Sequence, residues 1–158
     1  MQPTYCRLDA VRYARLWAFG RNPAYADFSA MGGDCTNFIS QCLFAGCGVM
    51  NTRPDTGWFY RSLDDRAAAW TGVEYLHTFL TTNTGAGPYG AETPEDTAQP
   101  GDILQLSFDG AVFAHSLLVL GTAAGITVAA HDDDSCDRPA GTYNYRRARL
   151  IRIEGVRP

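Results

Sequence analysis

Residues 32–42 read Gly-Gly-Asp-Cys-Thr-Asn-Phe-Ile-Ser-Gln-Cys. Gly32-Gly33 breaks the chain and Asp34 is a good N-cap, so a helix is expected to open at Cys35. In that helix Cys35, Phe38, Ile39, Cys42 and Gly46 share one face, and Gly46 and Gly48 mark its end. A thiol in the first turn meets unpaired N–H groups and the positive end of the helix dipole, and both favour the nucleophilic thiolate. The same N–H groups can hold a developing oxyanion, and the glycines let a substrate approach the backbone. The bland alternative is that Cys35 is a small buried hydrophobe like Cys42.

Upstream, residues 6–18 read as a helix, with Ala10, Val11, Ala14, Trp17 and Ala18 on one stripe and Gly20 at its end. Asn22-Pro23 opens a turn or short helical segment through Phe28. Downstream, residues 49–69 are loop-like around an aromatic cluster at Trp58, Phe59 and Tyr60. A third helix is expected over 70–81, with Trp70, Val73, Leu76 and Leu80 inward, and residues 82–101 form a long aperiodic surface loop. Four strands are then expected over 102–107, 112–120, 125–131 and 147–153. Helices first and antiparallel strands after them make an α+β class, not a doubly wound sheet.

The length of 158 residues suits one domain with a core of its own. Apolar residues are 46% and charged residues 19%, which argues against disorder and coiled coil. Net charge is -4, and all 13 basic residues are arginine. That balance has no nucleic-acid footprint, and the absence of lysine excludes Schiff-base chemistry and a phosphate-loop lysine. No apolar run reaches the roughly 18 residues of a membrane span. With no signal peptide at the start, the expectation is a cytoplasmic protein or a mature or excised domain of a secreted enzyme. Five cysteines are odd in number and their spacings match no common zinc site, so neither a disulfide framework nor a metal is expected.

A nucleophilic cysteine needs a base, and the chain has three histidines, 77, 115 and 131. His77 lies in the third helix and reads as structural or solvent-facing. His115 stands at the start of the apolar strand Ser116 to Leu120, a plausible place for a base. His131 ends the next strand and precedes Asp132-Asp133-Asp134, so neighbouring strands could set it beside His115 to orient the ring. The acidic run otherwise reads as a solvated loop; a calcium loop lacks its glycine and distal glutamate.

The stretch 32–42 resembles the signature of the bacterial putative amidase domain family, a group of papain-like cysteine amidases and peptidases related to the CHAP cell-wall hydrolases. Arg21-Asn22-Pro23 with Tyr25 and Phe28, Gly57-Trp58, Trp70, Pro100-Gly101-Asp102-Ile103, Ala114-His115-Ser116 and His131 follow in the family's order. The resemblance implies one papain-like domain over residues 1–158 that hydrolyses an amide through a thioester. Cys35 would be the nucleophile, His115 the base and His131 the orienting residue, with Asp132 as the alternative third residue. Tyr25 and the Cys35 backbone N–H are the oxyanion-hole candidates. It implies no cofactor, a peptide or peptidoglycan substrate such as stem peptides or the muramoyl-peptide amide, and a monomer. Residues 132–139 depart from the family, which often has a Thr and one Asp there. An acyltransferase or transpeptidase with the same pair, or a catalytically silent binding module, are the alternatives.

Overall fold

The computed structural model describes residues 2–158, and it is α+β: helices in the first half pack on a six-stranded antiparallel sheet in the second. Helix α1 spans Arg7–Trp17 and buries Ala10, Val11 and Ala14. Helix α2, Cys35–Cys47, is buried along nearly its whole length and ends at Gly48, whose φ of 68° is the left-handed cap that glycine favours. No helix among the described residues is long and apolar enough to cross a membrane, and all five cysteines are free thiols.

The expected third helix is two. Gly72, with φ -110° and ψ 131°, breaks it into α3, Ala68–Thr71, and α4, Val73–Thr82. The loop before it carries a small hairpin, β1 at Tyr60–Ser62 and β2 at Asp65–Arg66. Trp58 and Trp70 are fully buried with ring centroids 4.7 Å apart, so they belong to the core. Their indole N–H groups donate to Ser40 Oγ and Asn37 Oδ1 of α2, each at 3.0 Å, which satisfies the polar face that α2 buries.

The six strands are β3 at Gly87–Thr93, β4 at Ile103–Ser107, β5 at His115–Gly121, β6 at Thr127–Ala130, β7 at Ser135–Pro139 and β8 at Arg147–Arg157, in the order β3-β8-β4-β5-β6-β7. The two that the sequence pattern misses, β3 and β7, are the sheet's edges. An edge strand has one partner, so it tolerates the Pro88 and Pro139 that a central strand would reject. At Gly90 the β3 register slips, and a side chain there would meet the Arg152 carbonyl oxygen at 2.1 Å. The central strands are buried on both faces. Ile103, Leu118, Ile151 and Ile153 pack with Phe38, Ile39, Cys42 and Leu43 of α2, while Leu104, Leu117, Val119 and Leu150 pack with Val128 and Ala140 on the far side. This double burial is why β5 reads as a continuous apolar run.

Candidate active site

The start of α2 lies against the start of β5. The Thr36 hydroxyl is 3.0 Å from that of Ser116, and Gln105 Nε2 of β4 donates to Ser116 Oγ at 3.2 Å. Cys35 is the first residue of α2 and is buried at 8% exposure. Burial pushes its thiol above the ordinary cysteine value, against a hydrogen bond from the Ser116 backbone N–H and the Thr36 hydroxyl, and the Asp132 charge adds to the rise. The net direction is upward, so the thiol is neutral in the resting chain.

Asp34 sits at the N-cap position but does not cap the helix with its side chain. It is fully buried and turns inward: Oδ1 accepts the Phe28 N–H and an Asn37 Nδ2–H, both at 2.9 Å. Its Oδ2 meets His131 Nδ1 at 2.5 Å. The cap comes instead from Asp132, whose carboxylate oxygens each accept the Asp34 N–H at 2.9 Å, with Oδ2 also taking the Cys35 N–H at 3.3 Å.

Both ring nitrogens of His131 are engaged by groups other than His115. His131 lies one residue beyond β6, 1% exposed, with its ring stacked 3.9 Å from Phe38. Its Nδ1 is taken by Asp34, and its Nε2 lies 2.8 Å from the Trp17 carbonyl oxygen and 3.2 Å from Arg21 Nη1. His115 opens β5 as expected, at 8% exposure, between the rings of Tyr143 at 5.7 Å and Phe108 at 6.4 Å. Burial lowers its pKa, while Asp132 pulls it up, Arg138 pushes it down and Asp133 pulls it up again. No hydrogen bond joins its ring to the Cys35 sulfur at rest. What the two share is Asp132, bonded to the Cys35 amide and lining with His115, Phe108, Arg138 and Tyr143 a cavity of about 450 Å³.

The acidic run is a solvated loop only in part: Asp133 is exposed, while Asp132 and Asp134 are half-buried. Asp132 caps α2, Asp133 pairs with Arg138 at 3.1 Å, and Asp134 takes Arg21 at 2.9 Å. Arg21 also lies 3.4 Å from Asp27 and 3.6 Å from Asp34. Tyr25 joins the aromatic core beside Tyr60 and Trp70, with centroids at 5.1 and 5.9 Å, and no hydrogen bond among the described residues ties it to Cys35. His77 is a surface partner of Glu92 at 3.1 Å. Sequence reading missed Asp34 as a buried acceptor and Arg21 as the link between the α1 side and the acidic loop.

The family profile described as "Putative amidase domain" matches residues 4–153. An uncharacterized protein of Bacillus subtilis strain 168, YhbB, is 35% identical over 125 residues, which are 77% of this chain and 39% of that protein. The chain thus spans well under half the length of this curated relative. No solved structure matches.

Proposed function

The chain belongs to this putative amidase family, and we propose that it hydrolyses an amide bond with Cys35 as nucleophile and His115 as general base. The observation that carries the reading is the docking of the α2 start on the β5 start, where the Thr36 hydroxyl beside Cys35 lies 3.0 Å from that of Ser116, the residue after His115. Burial keeps both thiol and imidazole neutral. Proton transfer to the imidazole then accompanies attack on the carbonyl rather than preceding it. The proton returns to the leaving amine, and water cleaves the thioester.

The helix-borne cysteine and sheet-borne histidine support a papain-like arrangement within one domain. Asp132 takes the third place in this reading, because its charge favours the protonated His115 that forms during attack. His131 acts one layer deeper, as the group that fixes Asp34. The cavity beside His115 offers two aromatic rings with Asp133, Arg138 and Asn144 at its wall, which suits a peptide chain, and peptidoglycan stem peptides or the muramoyl-peptide amide are the substrate class of choice. Digestion of purified peptidoglycan, read by mass spectrometry with the Cys35→Ala variant as control, tests this. Fragments that differ by one water at an amide bond support it. Identical spectra from the two proteins overturn it, and fragments capped by an added amine would replace hydrolysis by acyl transfer.

A further inference from the structure

The amides at the start of α2 are where a developing oxyanion is expected, yet a carboxylate of the chain itself fills that seat. Asp132 holds the Asp34 N–H with both oxygens at 2.9 Å and the Cys35 N–H with one at 3.3 Å. The hollow that admits it exists because residue 33 has no side chain: Gly33 has φ 116°, and a Cβ there would stand 2.6 Å from Asp132 Oδ2. The loop is bent to deliver the group. Asp132 and Asp133 have φ of 60° and 65°, a left-handed pair of non-glycine residues that persists only where the surroundings over-determine it. Here the flanks do so, with His131 on Asp34 and Asp134 on Arg21.

We propose that Asp132 is a displaceable carboxylate latch on the oxyanion cradle of Cys35, keeping the two amides aimed at rest and yielding the Cys35 N–H to the acyl oxygen of the substrate or to the carboxylate of the product. The contact to be broken is the weak one. At 3.3 Å the Cys35 bond is longer than the usual 2.9–3.0 Å, whereas the Asp34 N–H keeps Asp132 tethered after it yields. Asp132 also lines the open cavity beside His115, so the carboxylate has space to swing into. The same seat should therefore accept small carboxylates when Asp132 is absent. The catalytic consequence rests on Cys35 being the nucleophile; the latch itself is read from thiol reactivity alone.

The test is the rate of Cys35 alkylation at neutral pH, located by peptide mass, in the native chain, Asp132→Ala and Asp132→Asn. Neutral iodoacetamide and anionic iodoacetate are compared, with acetate or matched chloride added. Removing the Asp132 charge lowers the Cys35 thiol pKa and raises its thiolate fraction, while the intrinsic nucleophilicity weakens in part, so a net gain of a few fold is expected for iodoacetamide in Asp132→Ala. The gain should be larger for iodoacetate, which no longer meets a fixed negative charge. Acetate should slow the Ala variant back toward the native rate and leave the native chain unchanged. Asp132→Asn keeps the shape and an acceptor oxygen, so it should raise the iodoacetate to iodoacetamide ratio without responding to acetate, and it decides alone if the Ala variant does not fold. Folded variants that alkylate no faster than native with an unchanged reagent ratio overturn the latch, as does acetate protection equal in native and variant. Retained amidase activity in Cys35→Ala would overturn the nucleophile and leave these alkylation results standing.

Discussion

Asp34→Ala is expected to remove about 3–5 kcal/mol of stability and leave the chain folded. The carboxylate is fully buried, and three donors converge on it: the Phe28 N–H, the Asn37 amide and His131 Nδ1. Alanine leaves all three without an acceptor. One buried unsatisfied donor costs about 1–3 kcal/mol. The three losses do not add in full, because they surround one hole that water can enter, so the value for breaking one buried charged pair is the better guide. Stability for a chain of this size is roughly 5–15 kcal/mol, and each kcal/mol moves Tm by about 2–4 °C. The expected fall is therefore about 6–20 °C by calorimetry. Asp9→Ala serves as the control, since Asp9 is half exposed and its nearest cation, Arg12, is 3.9 Å away; it should melt within about 2 °C of native. An Asp34→Ala protein that melts within about 3 °C of native would refute the claim that this carboxylate organises the site.

Cys35→Ala should abolish amide hydrolysis at a stability cost of about 1 kcal/mol, and near-native turnover would remove Cys35 from the mechanism. Cys42→Ala, in the fully buried core, should lower Tm and leave turnover of the folded protein near native, as seen by melting and kinetics side by side. His115→Ala should reduce kcat by about 10³-fold or more with the melting curve preserved; a loss below about tenfold would make another group the base. Because burial lowers the His115 pKa, the acid limb of kcat/KM should lie below the ordinary histidine value of 6.5, and a limb above 6.5 would contradict the assignment. The same shift fixes a sign for stability. The unfolded chain takes up this proton first, so the contribution of His115 is complete above 6.5 and is lost as pH falls toward its folded-state value, which melts across that range check.

What could be read ahead of the structure follows burial. The helix at Cys35 and the strands at Ile103 and His115 carry dense apolar patterns because they are central, and each lies within a few residues of its expected place. Edge strands β3 and β7 were hidden by Pro88, Pro139 and their acids, which one-sided pairing permits. The positions of Cys35, at a helix start, and His115, at a strand start, were legible for the same reason: both follow from local pattern. The partners of His131 were not. Alternation along a strand predicts a face only while the strand continues, and β6 stops at Ala130. Beyond it the ring direction is set by Asp34 and Trp17, which lie 97 and 114 residues away in the chain and leave no periodic trace.

The run Asp132-Asp133-Asp134 explains how the two halves are tied at the site. Three adjacent carboxylates in a regular strand would alternate faces and repel one another. Left-handed φ at Asp132 and Asp133 splays them instead, to the α2 amides, to Arg138 and to Arg21. Two of these three bonds cross from the sheet half to the helical half, as does the pair of His131 with Asp34. The Cys35 loop is fastened locally through Phe28, whose carbonyl takes the Gly33 N–H at 3.1 Å and whose N–H donates to Asp34 Oδ1 at 2.9 Å, but no side chain of the loop caps the helix. The carboxylate on the two amides comes from the β6–β7 turn, so the cap beside Cys35 is completed only when the sheet closes on α2. Left-handed backbone at Asp132 and the missing side-chain cap at Asp34 are two sides of one closure, in which a distant turn supplies the group on which the amides at the start of α2 converge.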